Sequence, residues 1–211
     1  MTAQARYEAE VLRVWGDAQD GAHDLWHLRR VWTLCQRIAG DQRGANRDVL
    51  LAAAIFHDVI NLPKDHPNRG QAARLSADHA VQFLAQDFDE TALDAIHHAT
   101  LAHSFSAKVP ATTLEAQILQ DADRLEALGA IGIARCFNVS GQIGRDLFDG
   151  ADPLARDRPL DDTAFALDHF EVKLFKLAAQ LHTKTARAIA ADRIEFMKKF
   201  QRRLATEVSP A

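Results

Sequence analysis

Apolar residues recur at intervals of three and four positions along nearly all of this 211-residue chain. This spacing places apolar side chains on one face of an α-helix, whereas sustained alternation with β-branched residues, which is typical of strands, is hard to find. The pattern predicts an all-α protein, built as a bundle in which each helix buries one face. At this length a single domain is expected.

Breaks in the apolar pattern divide the chain into predicted helices. They cover residues 3–15, 24–39, 48–61, 71–85 and 87–103, a long helix from Thr113 onward, and a C-terminal pair over 164–182 and 183–204. The third helix contains the run VLLAAAIFH, which is apolar on nearly all sides, so it should form the centre of the bundle. We expect Asp48 to cap this helix, and Pro63 and Pro67 to prevent its continuation.

The predicted domain has three parts. We expect an N-terminal helix over residues 1–22 and a core over residues 23–150. An acidic loop and the C-terminal helices, over residues 151–211, should pack on the same domain.

Composition excludes several classes of partner. Lys and Arg number 25 against 29 Asp and Glu, a net charge of −4, which offers no basic field for a nucleic acid polymer. No apolar stretch approaches the roughly 18 residues of a membrane span, and the N-terminus lacks the pattern of a signal peptide. Cys35 and Cys136 lie far apart in predicted helices. We therefore predict a cytoplasmic protein without membrane or nucleic acid partners, and leave its oligomeric state open.

A His-Asp pair lies at the end of the most apolar predicted helix. An ionisable pair such as His57-Asp58 costs several kcal/mol when buried unless it is paired or bound to a metal. His27, Asp121 and Asp123 lie in other predicted helices and are possible partners. Because Asp121 and Asp123 are separated by about 200° around a helix, we expect only one of them to face a site.

The order of these residues resembles a known family pattern. His27, then His57-Asp58, then an aspartate in ADRL match the H…HD…D pattern of the HD superfamily of metal-dependent phosphohydrolases. The resemblance extends over about residues 20–175 and is strongest to the small stand-alone bacterial members. The segments that carry it are HDLWHLRRVW, FHDVI, AHSFS and QDADRLEALGAIGIAR.

The resemblance implies a helical bundle in which His27, His57, Asp58 and Asp123 bind one divalent metal ion. Asp123 is preferred to Asp121 because the last ligand of the family directly precedes a basic and then an apolar residue, as in the segment DRL. Two imidazoles and two carboxylates would leave open positions on a six-coordinate ion for water and a phosphate oxygen.

Ligand type leaves several metals possible. Mixed nitrogen and oxygen donors accept manganese, iron, nickel, cobalt or zinc, while magnesium matches two histidines less well. We predict manganese. Some relatives use additional histidines to bind two ions, but the predicted helix gives His79 no buried setting, and His98 and His103 do not share a helical face. We therefore favour one metal over two.

Further residues are candidates for catalysis and substrate binding. We expect His98 and His103 to orient phosphate or to protonate a leaving oxygen, and count Asp58 with them as catalytic. Lys64, Arg69 and Arg124 are predicted to bind an anionic substrate; these three lie in the loop after the His-Asp pair or beside the last predicted ligand.

The function that the resemblance implies is hydrolysis of a phosphate ester or anhydride, with a small phosphorylated molecule, a nucleotide, as the predicted substrate. Release of one phosphate and release of pyrophosphate both stay open. One alternative is a regulatory module that binds a nucleotide without cleaving it. Another is oxidative chemistry at a di-iron centre, which requires additional ligands.

Overall fold

A computed structural model describes residues 1–16, 24–62, 66 and 68–208. No β-strand forms within these ranges, so the prediction of an all-α fold is confirmed. The α-helices are α1 (Ala3–Trp15), α2 (Leu25–Gly40), α3 (Arg47–Phe56), α4 (Ala72–Leu84), α5 (Glu90–Ala102), α6 (Leu114–Leu125), α7 (Gly129–Gln142), α8 (Asp168–Val172) and α9 (Lys184–Val208). Short 3₁₀ helices cover Arg69–Gln71, Phe105–Ala107 and Leu174–Gln180.

Helix α3 is the centre of the first of two compact units, which comprises residues 1–123. Helices α1, α2, α4 and α5 all pack against it, and every residue from Ala52 to Phe56 is fully buried. The central position predicted from its apolar run is therefore confirmed. The core of this unit consists of Tyr7, Val11, Trp15, Leu28, Val49, Ala52, Ile55, Phe56, Val59, Ala80, Leu84 and Ile96.

Helix α3 differs from its prediction at both ends. Its N-terminal cap is Asn46 rather than Asp48. The side-chain oxygen of Asn46 accepts hydrogen bonds from the backbone N–H groups of Asp48 and Val49, with N···O distances of 3.0 and 3.2 Å. Asp48 lies in the first turn instead. The helix ends at Phe56 rather than near residue 61, because the Val59 N–H bonds to the Phe56 carbonyl in a tight turn.

Replacing Asn46 with Ala should destabilise the protein by about 1 kcal/mol, because two N–H groups at the start of α3 would lose their acceptor. Urea denaturation followed by circular dichroism measures this change. Asn46→Ser is the matched control, since a serine hydroxyl also caps, and should retain most of the stability. Equal stability of the alanine variant and the unaltered protein would contradict the assignment of the cap.

The long helix predicted from Thr113 is two helices, α6 and α7. Tight turns follow the end of α6, in which Ala127 and Leu128 donate to the carbonyls of Arg124 and Leu125. Gly129 then has φ +76°, a left-handed conformation through which a right-handed helix cannot continue. The apolar periodicity continues across this break, which is why the sequence alone predicted one helix.

The second unit comprises residues 124–211, and within it the first member of the predicted C-terminal pair is not one continuous helix. Before α8, the chain pairs with an earlier segment: Asp146 donates to the Ala164 carbonyl at 3.1 Å, and Ala166 donates to the Asp146 carbonyl at 2.8 Å. Arg158 binds both carboxylate oxygens of Asp168, at 2.6 and 2.9 Å. These contacts keep the start of the predicted helix non-helical. The second member forms as α9.

The domain boundaries predicted after residues 22 and 150 stay a prediction.

Within the described ranges, none of the helices combines the length and apolarity that crossing a membrane requires.

Candidate metal centre

Four helix ends in the first unit carry side chains that face one another. His27 lies in the first turn of α2, whereas His57 and His103 directly follow α3 and α5. Asp123 lies in the last turn of α6. Three of these are C-terminal helix ends, where the backbone carries partial negative charge that favours a cation.

The four predicted metal ligands come together. The Nε2 atoms of His27 and His57 are 3.3 Å apart. An oxygen of Asp58 lies 3.5 Å from Nε2 of His57 and 3.9 Å from Nε2 of His27. An oxygen of Asp123 lies 3.5 Å from Nε2 of His27 and 3.9 Å from Nε2 of His57. Donor atoms this close on different side chains are the arrangement that a metal ion needs.

His103 joins the same cluster. Its Nε2 is 3.5 Å from an oxygen of Asp58, and its ring meets that of His57 edge to face at 4.8 Å. His57, Asp58 and His103 thus form a second group able to hold an ion, overlapping the group of His27, His57 and Asp123. The single-metal interpretation therefore stays a prediction. The sequence signal for this placement was that His103 ends one predicted helix and His57 lies near the end of another.

Backbone hydrogen bonds orient two of the imidazoles. Nδ1 of His57 lies 2.9 Å from the Ala54 carbonyl, and Nδ1 of His103 lies 2.5 Å from the Thr100 carbonyl. Because a carbonyl oxygen can only accept a hydrogen bond, the Nδ1 atom of each ring must carry a proton and donate it. Each Nε2 is therefore directed to the centre of the cluster, which is the arrangement typical of metal-binding histidines.

The environment of the cluster shifts the pKa values of its members in different directions. Burial lowers the pKa of His57 to about 4, so its ring is neutral near pH 7 and Nε2 has a lone pair to donate. Burial favours the protonated form of Asp123, but the hydrogen bond with His27 and the electrostatic interactions with the surrounding histidines outweigh it and hold the pKa of this carboxyl well below its usual range. For His103, burial opposes the imidazolium, but the hydrogen bond with Asp58 and the charges of both aspartates raise its pKa.

Asp121 and Asp123 have different environments, as their angular separation predicted. Asp121 is fully buried and belongs to neither group of donors. Asp123 faces His27 and His57, and its side chain keeps 29% of its accessible surface. The preference for Asp123 as the last ligand agrees with this geometry.

The other histidines of α4 and α5 have partners outside the cluster. His98 is a predicted catalytic residue. Its Nε2 lies 3.0 Å from the hydroxyl oxygen of Thr112 and accepts a hydrogen bond from the backbone N–H of Thr112 at 3.2 Å. His98 belongs to neither group of donors among the described residues, so its catalytic role stays a prediction. The remaining pairs are His97 with Asp78, at 2.8 Å, and His79 with Glu10, at 2.9 Å.

Two of the predicted substrate-binding cations contact backbone carbonyls. Arg69 donates to the Leu62 carbonyl at 2.7 Å, and Arg124 donates to the Gln180 carbonyl at 2.7 Å. Lys64 lies outside the described residues. Substrate binding by these three side chains stays a prediction.

Comparison with known proteins identifies the family. The family model of the HD domain matches residues 25–128, which include all five residues of the cluster. Across its length the chain is also 31% identical to the uncharacterised protein YpgQ of Bacillus subtilis, covering 95% of this chain and 94% of that protein. The chain belongs to the HD-domain family.

Solved structures of similar proteins share the HD-domain fold over nearly the whole chain. A protein from Lactobacillus plantarum is 34% identical with a TM-score of 0.72, and 98% of each chain is covered. An HD-superfamily hydrolase from Bacillus thuringiensis is 28% identical with a TM-score of 0.74, covering 99% of this chain and 97% of that one. YpgQ, solved in complex with ADP, is 28% identical with a TM-score of 0.73, and 98% of each chain is covered.

Proposed function

We propose that this HD-domain protein is a metal-dependent phosphohydrolase whose substrate is a nucleotide. The single observation that carries the proposal is the convergence of His27, His57, Asp58 and Asp123, with donor atoms 3.3 to 3.9 Å apart. Two ionisable side chains that are fully buried, His27 and His57, face two carboxylates there. A divalent cation would neutralise those carboxylates and accept the imidazole lone pairs.

The donor set fits a divalent metal, and we propose manganese held by these four side chains. When bound, the ion would lower the pKa of a water molecule and neutralise charge on a phosphoryl group. His57 presents an unprotonated Nε2 because the Ala54 carbonyl holds its proton-bearing Nδ1. His27 is anchored by the start of α2, where its backbone N–H donates to the Asp24 carboxylate at 2.8 Å.

His103 is the proposed proton donor of the reaction. Its Nε2 faces Asp58 at 3.5 Å, and this carboxylate favours a proton on the ring. In the proposed hydrolysis, the oxygen of a water molecule forms the new bond to phosphorus and one proton of that water passes to the solvent, while the bond to the leaving oxygen breaks. The proton on Nε2 of His103 passes to that leaving oxygen, so the departing group carries no added negative charge.

Support for a nucleotide substrate comes from a relative. YpgQ, which the chain resembles over nearly all of its length, was solved with ADP, and ADP combines a nucleoside with phosphate groups. We propose the same class of ligand for this chain. A substrate of this kind offers phosphoryl oxygens to a metal and leaves the nucleoside for recognition by the protein.

An activity screen tests the proposal. Full-length protein, first stripped of metal and then supplied with Mn²⁺, is incubated with nucleoside mono- and triphosphates while phosphate and pyrophosphate are measured separately. We expect turnover of at least one substrate set, which stops when a chelator removes the metal. Absence of turnover, with calorimetry showing a bound and intact nucleotide, would instead favour the regulatory module without hydrolysis.

A further inference from the structure

The turn that carries Asp58 is held by side chains from two other helices. Asp58 lies beyond Phe56, the last residue of α3, and is followed by Val59 and Ile60. The Val59 N–H donates to the Phe56 carbonyl at 3.1 Å, which closes the turn against its own helix. The Val59 carbonyl and both backbone groups of Ile60 instead meet side chains of α1 and α4.

The first of these side chains is the indole of Trp15, the last residue of α1. Its Nε1–H donates to the Val59 carbonyl at 3.1 Å, and both residues are buried. An indole N–H can only donate, so a buried indole needs an acceptor in the protein. The carbonyl of Val59 is that acceptor, and the hydrogen bond joins the residue directly after Asp58 to α1.

The second side chain is the hydroxyl of Ser76 in α4, which is fully buried. Its oxygen accepts a hydrogen bond from the Ile60 N–H at 3.0 Å and donates to the Ile60 carbonyl at 3.4 Å. A serine inside a helix commonly bonds to its own helix or points to solvent. Ser76 instead binds both backbone groups of a residue two positions after Asp58.

The buried face of α4 is otherwise apolar. Its remaining buried residues are Ala73, Ala77, Ala80 and Leu84. Among such side chains, an alanine at position 76 would fill nearly the same space as serine does. Packing alone therefore does not require a hydroxyl there, whereas the backbone of Ile60 does, since its N–H and carbonyl need partners.

The position of this turn determines the position of the Asp58 carboxylate. Its two oxygens face different histidines: one lies 3.5 Å from Nε2 of His57, and the other lies 3.5 Å from Nε2 of His103. A displacement of the turn would change both distances at once. Groups that orient the ligands of a metal ion commonly change its affinity by about ten- to a hundredfold.

We propose that Trp15 and Ser76 are positioning residues of the candidate metal centre. By holding Val59 and Ile60, they keep the Asp58 carboxylate in place among the donor histidines. The inference rests on the metal-dependent function proposed above and extends it to residues of α1 and α4. It concerns the affinity for the ion, which can be measured without any hydrolysis.

Calorimetry of the full chain with Mn²⁺ tests the positioning role. We expect Ser76→Ala to raise the Kd for Mn²⁺ by about tenfold or more, because the backbone groups of Ile60 would lose their partner and the turn would no longer hold Asp58. Trp15→Phe removes the indole N–H but keeps an aromatic ring, and it should raise the Kd for Mn²⁺ in the same direction.

The matched control is Asn46→Ala at the opposite end of α3. It also removes two hydrogen bonds between a side chain and the backbone, so urea denaturation in EDTA should show losses of stability similar to those of Ser76→Ala. The control should nevertheless keep its Kd for Mn²⁺ within about a factor of two. If the Kd rose equally in both variants, the cause would be a general weakening of the fold, and the positioning role would be wrong.

The indole N–H of Trp15 provides a spectroscopic readout that a purely structural role would not move. In nuclear magnetic resonance spectra, with Zn²⁺ as a diamagnetic probe, this signal is the indole signal that disappears in Trp15→Phe. It should shift when the ion binds, because its acceptor belongs to the residue directly after Asp58, and Asp58→Asn should abolish the shift. An unchanged Trp15 signal in protein that has bound Zn²⁺ would overturn the proposal.

Failure of this inference and failure of the proposed hydrolysis are separate results. Mn²⁺ binding that weakens in Ser76→Ala but not in Asn46→Ala would support the inference even if no nucleotide were hydrolysed. Hydrolysis together with the same Kd for Mn²⁺ in both variants would overturn the inference and leave the proposed function intact. Absence of Mn²⁺ binding by the unaltered protein would overturn both.

Discussion

Replacing Asp58 with Asn should abolish tight binding of Mn²⁺ and reduce hydrolysis by about 10³-fold or more. The carboxylate of Asp58 faces His27, His57 and His103 at 3.5 to 3.9 Å, so its charge acts on the whole cluster. Asparagine has the same shape but no charge. A catalytic metal contributes several kcal/mol to transition-state stabilisation, and each 1.36 kcal/mol corresponds to a factor of ten in rate.

Metal content by mass spectrometry and kcat/KM with the best substrate of the screen measure the effect of Asp58→Asn. The matched control is Asp78→Asn, because Asp78 also contacts a histidine, His97, but lies outside the cluster. The control variant should retain its metal and its activity within about a factor of two. If Asp58→Asn kept stoichiometric metal and full activity, the assignment of this cluster as the catalytic centre would be wrong.

Replacing Phe56 with Ala should lower the free energy of unfolding by about 3 to 5 kcal/mol. Phe56 is fully buried at the end of the central helix α3. Its ring contacts those of Tyr7 and Phe83, with both pairs of centroids 5.5 Å apart. Alanine would leave a cavity among α1, α3 and α4 and remove both aromatic contacts.

Guanidinium denaturation monitored by circular dichroism measures the loss in Phe56→Ala. Phe196→Ala in α9 serves as its control, because Phe196 is half exposed and its removal should change stability by no more than about 0.5 kcal/mol. Similar losses in the two variants would show that α3 is not the centre of the core. Since Phe56 directly precedes His57, we also expect weaker metal binding in Phe56→Ala.

Local sequence signals predicted most of the helices. Helix α1 has the predicted bounds, Ala3–Trp15, because apolar spacing and the break at Gly16 are both encoded within a few residues. The end of α6 was missed for a different reason. The periodicity of this segment continues through Gly129, and only the three-dimensional structure shows the left-handed conformation of that glycine.

Contacts between distant segments account for the other differences in the fold. The sequence over 164–182 is amphipathic and predicts a helix, but its first residues pair with Asp146. The carboxylate of Asp168 is likewise occupied by Arg158, ten positions earlier. Periodicity within one segment carries no information about a partner elsewhere, so these contacts could not be predicted from it.

The candidate site was predictable in part. The family pattern selected His27, His57, Asp58 and Asp123, and the structure brings their side chains together. The sequence could not separate His98 from His103, because both lie in one histidine-rich segment. The structure gives them different contacts: His98, within α5, contacts Thr112, whereas His103, directly after α5, faces Asp58.

The hydrogen bond from His57 to the Ala54 carbonyl would link metal binding to the stability of the last turn of α3. This hydrogen bond holds the imidazole against the last turn of α3. Fraying of that turn would therefore also turn Nε2 of His57 away from the other donor atoms of the cluster. Binding of a cation at this cluster would therefore be coupled to local unfolding of the helix end. An ion at about 100 times its dissociation constant would add about 2.7 kcal/mol to the native state, and amide hydrogen exchange at this helix terminus would slow accordingly.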